Sequence, residues 1–163
     1  MIRGRVRKFG DNVDTDQITP GTLLHLPTEE LVNHAFSPVT PEFHKTMREG
    51  DVLVAGSNFG CGSSREQATA VVKELGFKFV VAESVARIYF RNCVALGLYP
   101  VLAKGVADLF EEGDEIEIDL GKGELRNPKS GRTTAFEPLT GSLKEIVESG
   151  GILPLLKRAT GSD

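Results

Sequence analysis

The sequence is short of cysteine, of long apolar runs and of clustered positive charge, and each shortage removes a class of protein. Only Cys61 and Cys93 occur in 163 residues. Two thiols suit a reducing compartment and cannot make a disulfide framework. They also fall short of a zinc or iron-sulfur ligand set: a cubane cluster takes at least three protein thiolates, so any such cluster must sit on another chain. No apolar run approaches the roughly 20 residues that cross a bilayer, so no membrane role is expected. Met1-Ile2-Arg3-Gly4-Arg5 holds neither an apolar signal core nor a cleavage site, which predicts a cytoplasmic protein. The chain carries 19 Lys and Arg against 23 Asp and Glu, a net charge of -4. Its basic residues are scattered rather than gathered in a stripe, which argues against nucleic acid as partner. There is no internal repeat and no low-complexity linker. Residues 1–163 therefore read as one domain, and a chain of this length buries roughly two-thirds of its unfolded surface.

What is present alternates between strand and helix patterns. Residues 2–9 alternate in period two and predict a half-exposed opening strand. The stretch from Gly10 to Gly21 is dense in turn formers and predicts a loop with little regular structure and two acids, Asp14 and Asp16. Thr28 and the early acids Glu29 and Glu30 predict a short helix to about Phe36. Val52 to Ala55 and Phe77 to Val81 are short, β-branched and apolar, as buried strands are. Between them, Ser64 with Gln67 reads as a capping box for a helix ending at Gly76. Ser84 is placed to cap a helix that runs to Gly97, and Tyr99 to Leu102 returns as a strand. Strands alternating with helices imply parallel pairing in a covered sheet. After Glu115 the pattern becomes a β-hairpin turning at Gly121-Lys122-Gly123, and residues 142–148 and 152–157 predict two closing helices. The fold class is α/β, a mixed sheet with flanking helices.

The loop Gly56-Ser57-Asn58-Phe59-Gly60-Cys61-Gly62-Ser63-Ser64 joins a strand to a helix. Such a junction gathers unpaired backbone N–H groups at the positive end of a helix dipole, which binds anions. Arg65 stands beside it, and a guanidinium matches a carboxylate with two parallel hydrogen bonds. Neither the Walker pattern nor Gly-x-Gly-x-x-Gly occurs, so a carboxylate is favoured over phosphate or nucleotide. A second reading remains open on these residues alone: Ser63 and Ser64 only cap the helix and Arg65 is a solvated first-turn residue. Asp14 and Asp16 have the same alternative, as Asx-turn residues.

Asn58-Phe59-Gly60-Cys61-Gly62-Ser63-Ser64-Arg65-Glu66 resembles the small subunits of 3-isopropylmalate dehydratase and homoaconitase, in the aconitase superfamily. The resemblance extends to Asp14-Thr15-Asp16-Gln17-Ile18-Thr19-Pro20-Gly21 and to Ser84-Val85-Ala86-Arg87-Ile88-Tyr89-Phe90-Arg91-Asn92, so it covers nearly the whole chain in order. It implies the swivelling β/β/α fold of the aconitase C-terminal domain, no cofactor or metal in this chain, and a large-subunit partner that carries the 4Fe-4S cluster. It implies a hydro-lyase that isomerises a hydroxy acid by dehydration and rehydration and is active only with that large subunit. Ser63 matches the serine that removes the proton next to a carboxylate. Ser64, Arg65, Thr15, Asp16 and Thr19 match substrate-binding positions. Cys61 and Cys93 are read as structural, His34 and His44 are given no role, and Arg87 and Arg91, four apart on one helical face, as interdomain or surface ion-pair groups.

Substrate choice in this family depends on the loop after Asp16, here Gly21-Thr22-Leu23-Leu24-His25-Leu26-Pro27. Homoaconitase-type subunits place an Arg there and isopropylmalate-type subunits aliphatic residues. Leu24 and Leu26 on either side of His25 favour an alkyl group and hence 3-isopropylmalate, as in leucine biosynthesis. A charged His25 would instead suit homoaconitate, and a dimethylmalate-type substrate is a further alternative. The alternative of another class is a non-catalytic carboxylate-binding module.

Overall fold

The computed structural model describes residues 1–161. One seven-stranded mixed sheet organises the chain. Strands β1 (Ile2–Lys8), β2 (Val52–Ala55), β3 (Phe79–Ala82) and β4 (Tyr99–Leu102) are parallel, and β5 (Glu115–Asp119), β6 (Glu124–Arg126) and β7 (Thr133–Ala135) continue antiparallel, in the order β4-β3-β2-β1-β5-β6-β7. The helices are α1 (Thr15–Ile18), α2 (Thr28–Leu31), α3 (Gln67–Glu74), α4 (Arg87–Leu96), α5 (Val106–Leu109), α6 (Gly141–Glu148) and α7 (Ile152–Thr160). Helices α3 and α4 make the crossovers between neighbouring parallel strands, as the alternating pattern predicts. No helix among the described residues is long and apolar enough to cross a membrane.

The continuous apolar runs of β2 and β3 follow from burial on both faces. Leu53, Ala55, Val80 and Ala82 face a core built with α3, Phe9, Phe36 and Phe43. Val52, Val54, Phe79 and Val81 face a second core built with Val6, Val94, Ile116 and Ile118. In the first core Phe9 stacks on Phe36 at 4.3 Å between centroids, and Phe43 meets both rings at 5.4 and 5.2 Å. Such pairs contribute about 1 kcal/mol each beyond their buried area. They pin the segment after β1 and the segment around Phe36 to one another, and Phe36 N–H donates to the Ile18 carbonyl at 3.0 Å. The loop that carries Asp16 is thereby held from both ends.

Several sequence expectations are corrected. The opening strand is partly exposed, as its alternation predicts, and what the alternation left open is its place inside the sheet: β1 pairs with β2 on one side and β5 on the other. Its arginine face is accommodated by charge. Arg5 binds Asp51 with both Nε and Nη2, at 2.9 and 2.7 Å, and Arg7 binds Glu112 at 2.8 Å while lying over the Phe43 ring. The loop from Gly10 to Gly21 contains α1 and a 3-10 turn at Gly21–Leu23. Asp14 caps α1 in a full capping box with Gln17, the local turn role expected of it. Thr28 does not cap α2, whose N-cap is Pro27. Ser84 does not cap α4; its Oγ accepts the Asn58 N–H at 2.7 Å instead. Strand β7 and helix α5 had no expectation, each being three or four residues without a resolvable period.

Candidate active site

Two loops meet at the ends of β1 and β2. Asn12 N–H donates to the Ser57 carbonyl, Gly60 N–H to Val13, and Thr15 N–H to Cys61, at 2.8, 2.8 and 2.9 Å. These cross-loop bonds align the Asp14–Thr19 segment with the glycine-rich loop, although they are about 46 residues apart in sequence. Gly60 is required at the join. Its φ is +79°, and a Cβ would lie 2.2 Å from Cγ of Tyr89. That ring is itself buried, edge-on to Phe59 at 5.3 Å, with its hydroxyl donating to the Ala68 carbonyl.

The join brings Ser63, Thr15, Arg65 and Asp16 together. Arg65 Nε donates to Ser63 Oγ at 2.6 Å, and Arg65 Nη2 to Asp16 Oδ1 at 2.5 Å. Thr15 Oγ1 lies 3.2 Å from Ser63 Oγ and accepts the Ser63 N–H at 3.2 Å. Thr15 is buried beneath the exposed Ser63, so it fixes the loop from below. Gly21 borders the pair on the other side: a Cβ there would lie 2.9 Å from Asp16 Oδ1 and 3.2 Å from Arg65 Nη1, inside the ion pair.

The capping box expected at Ser64 and Gln67 does not form. Helix α3 begins at Gln67 with Glu66 as N-cap and no side-chain cap. Residues 63–65 are held by bonds to Thr15 and Asp16, and a backbone drawn across to a second loop cannot also close a first helical turn. The positive charge next to Ser63 is therefore the Arg65 guanidinium rather than the helix end. No acceptor among the described residues meets the N–H groups of Ser64, Arg65 and Glu66. A half-buried guanidinium, an exposed serine hydroxyl and N–H groups without a protein acceptor make an arrangement able to hold an anion beside a hydroxyl oxygen.

The remaining sequence candidates divide. Thr19 is fully buried and its Oγ1 donates to the Thr15 carbonyl at 3.2 Å, so it braces α1 and does not reach the site surface. Leu26 packs against the first core, Leu24 is half-buried outside that cluster, and His25 is exposed. Of the aliphatic pair expected to line a pocket, Leu26 is thus already committed to the fold. Cys93 is buried, and burial pushes its thiol well up. Cys61 is half-buried and joins the loops through its carbonyl. A cubane cluster needs three thiolates, and the two here sit on different elements, so this chain's residues do not fit one. Sequence reasoning missed Asn12 and Asn58. Both adopt left-handed backbone, with φ +54° and +60°, and Asn58 Nδ2 donates to Asn12 Oδ1 at 3.2 Å, clasping the two loops. Asparagine between glycine-rich turns was the available signal.

This fold and this loop define a class. The family model described as Aconitase C-terminal domain matches residues 26–105. A crystal structure of 3-isopropylmalate dehydratase from Methanocaldococcus jannaschii is similar with a TM-score of 0.91 and 44% identity, over 98% of this chain and 95% of that one. The small subunit 1 of 3-isopropylmalate dehydratase from Methanopyrus kandleri is 48% identical over 159 residues, 97% of this chain and 94% of that protein. The methanogen homoaconitase small subunit from Methanothermobacter thermautotrophicus is 46% identical over 154 residues, 94% of this chain and 89% of that protein. The chain belongs to the family of 3-isopropylmalate dehydratase and homoaconitase small subunits.

Proposed function

We propose that the chain is the small subunit of a cytoplasmic, heteromeric hydro-lyase that isomerises a hydroxy acid by dehydration and rehydration, with 3-isopropylmalate as the favoured substrate. The observation that carries the reading is the 2.6 Å contact between Arg65 Nε and Ser63 Oγ. An alkoxide is a strong base that persists only beside positive charge, and here the guanidinium N–H is aimed at the oxygen itself. Ser63 Oγ takes the proton from the carbon next to a substrate carboxylate. The C–H electron pair becomes the double bond as the hydroxyl on the neighbouring carbon leaves, so that one water is lost in all; return of a proton to the carbon that lost the hydroxyl, and of a hydroxyl to the carbon that lost the proton, gives the isomer. Arg65, Ser64 and the free N–H groups of the loop hold a carboxylate, Asp16 fixes the guanidinium, and Thr15 fixes the serine.

The Lewis-acid chemistry of a 4Fe-4S cluster, which acts on the leaving hydroxyl, belongs in this reading to the large subunit. Homoaconitate is the second reading, supported by the exposure of His25 and by the similarity to a homoaconitase small subunit. The test is a turnover assay with 3-isopropylmalate, using this chain alone, the large subunit alone and the reconstituted pair. Activity is expected only from the pair. Turnover by this chain alone would overturn the proposal.

A further inference from the structure

Arg87 and Arg91 stand one turn apart on α4, exposed, and neither makes a hydrogen bond or ion pair with any described residue. They edge a groove of about 600 Å³ whose other walls include Phe90, Val94, Leu143 and Ile152. Apart from Met1, the exposed large hydrophobic residues are Val39, Ile88, Leu102, Leu143, Ile152, Leu153 and Leu156. All but Val39 lie on α4, the end of β4, α6 or α7. Single exposed apolar residues need no explanation, but Leu102, Leu143 and Ile152 line this one groove together, which marks a contact surface.

The groove is tied through the backbone to the loop that carries Ser63. Val85, which lines it, bridges Phe59, and Ala86 N–H donates to the Phe59 carbonyl at 2.9 Å. Phe59 lies four residues before Ser63, and Ser63 and Ser64 are open to solvent, so the site is one-sided until another surface covers it.

We propose that this groove is the docking surface for the large subunit, taking an apolar side chain flanked by carboxylates that pair with Arg87 and Arg91. The inference rests on the reading that the chain works with a large subunit. Three features select that occupant over a second copy of this chain. The groove's unpaired arginines would meet arginines if it packed on the same groove of a second copy, whereas carboxylates on a different partner would pair with them. Its apolar centre with a charged rim is the anatomy of a specific interface. Its attachment to the Ser63 loop lets docking set the loop's position relative to the other half of the site.

The experiment measures binding of the purified chain to the purified large subunit under anaerobic conditions, for wild type, Leu143→Glu, the pair Arg87→Glu with Arg91→Glu, and Lys122→Glu at the distant hairpin turn. Unchanged thermal melting of each isolated variant confirms the fold, and the exposed arginine pair serves if Leu143→Glu does not fold. The expected result is at least tenfold weaker binding for the groove variants and none for Lys122→Glu. Wild-type affinity in both groove variants overturns the surface while leaving the subunit reading standing. Failure of the wild type to bind overturns both. Self-association of the isolated chain that Leu143→Glu abolishes, with affinity for the large subunit unchanged, assigns the groove to a second copy and also overturns the proposal.

Discussion

The Ser63 hydroxyl and the Arg65 guanidinium form a direct hydrogen bond across one residue, Nε to Oγ at 2.6 Å. A helix that began at Ser64 would have turned the Arg65 side chain away from Ser63. With the helix delayed to Gln67, hydroxyl and guanidinium are neighbours.

Ser63→Ala in the reconstituted enzyme is expected to lower kcat by about 10²-fold or more with little change in KM, because it removes a group used in proton transfer rather than in ground-state binding. Steady-state kinetics check it. Near-normal kcat would leave Ser63 a loop residue only.

Arg65→Lys keeps the charge but loses the planar fork that reaches Ser63 and Asp16 together, so kcat/KM is expected to fall about 10²-fold. Asp16→Asn is expected to cost about tenfold in kcat/KM by releasing the guanidinium. An exposed pair of this kind contributes about 0.5 kcal/mol to stability, so melting should barely move. A large fall in melting temperature with intact kinetics would make Asp16 a fold residue.

His25→Arg is expected to shift the ratio of kcat/KM for homoaconitate over 3-isopropylmalate upward by tenfold or more, since His25 is exposed between the half-buried Leu24 and Leu26. The wild type should prefer 3-isopropylmalate. A tenfold wild-type preference for homoaconitate would make His25 the partner of a distal carboxylate.

Asp51 contributes to the stability of the fold against acid. Burial opposes its charge, but hydrogen bonds from Arg5 and the Arg48 N–H, with the charges of Arg5 and Arg7, outweigh it and hold the carboxyl below its ordinary 3.8. A carboxyl lowered by folding contributes stability above its unfolded value, and that stability is lost as pH falls through the folded one. Melting temperature should therefore drop below about pH 4. In Asp51→Asn that part of the drop should vanish while stability at pH 7 falls by about 2 kcal/mol, because the charge-assisted bonds from Arg5 are weakened while Arg7 keeps Glu112. An unchanged acid profile would place that contribution elsewhere.

Gly60→Ala combines a left-handed backbone with a Cβ driven into the buried Tyr89 ring. Backbone strain alone costs roughly 1–2 kcal/mol. Thermal melting should show a loss larger than that, and activity of the reconstituted enzyme should fall with it because the Ser63 loop is displaced.

The sequence by itself determined the two-sided burial of β2 and β3, the turn at Gly121-Lys122-Gly123, the helix that stops at Gly97, and the family to which the motif around Ser63 and Arg65 belongs. Each is written in a local period or in an unbroken motif, and local signals survive in one dimension. Only the tertiary structure decided that β1 lies at the centre of the sheet, that Asp16 meets Arg65 across 49 positions, that Ser84 serves Asn58 rather than α4, and that α3 starts at Gln67. In each case a hydrogen-bonding group had a local partner on offer and a distant one in the fold. The distant bond prevailed because the Gly60 join and the phenylalanine cluster had already brought the two loops together, so a cross-loop bond cost little further chain entropy.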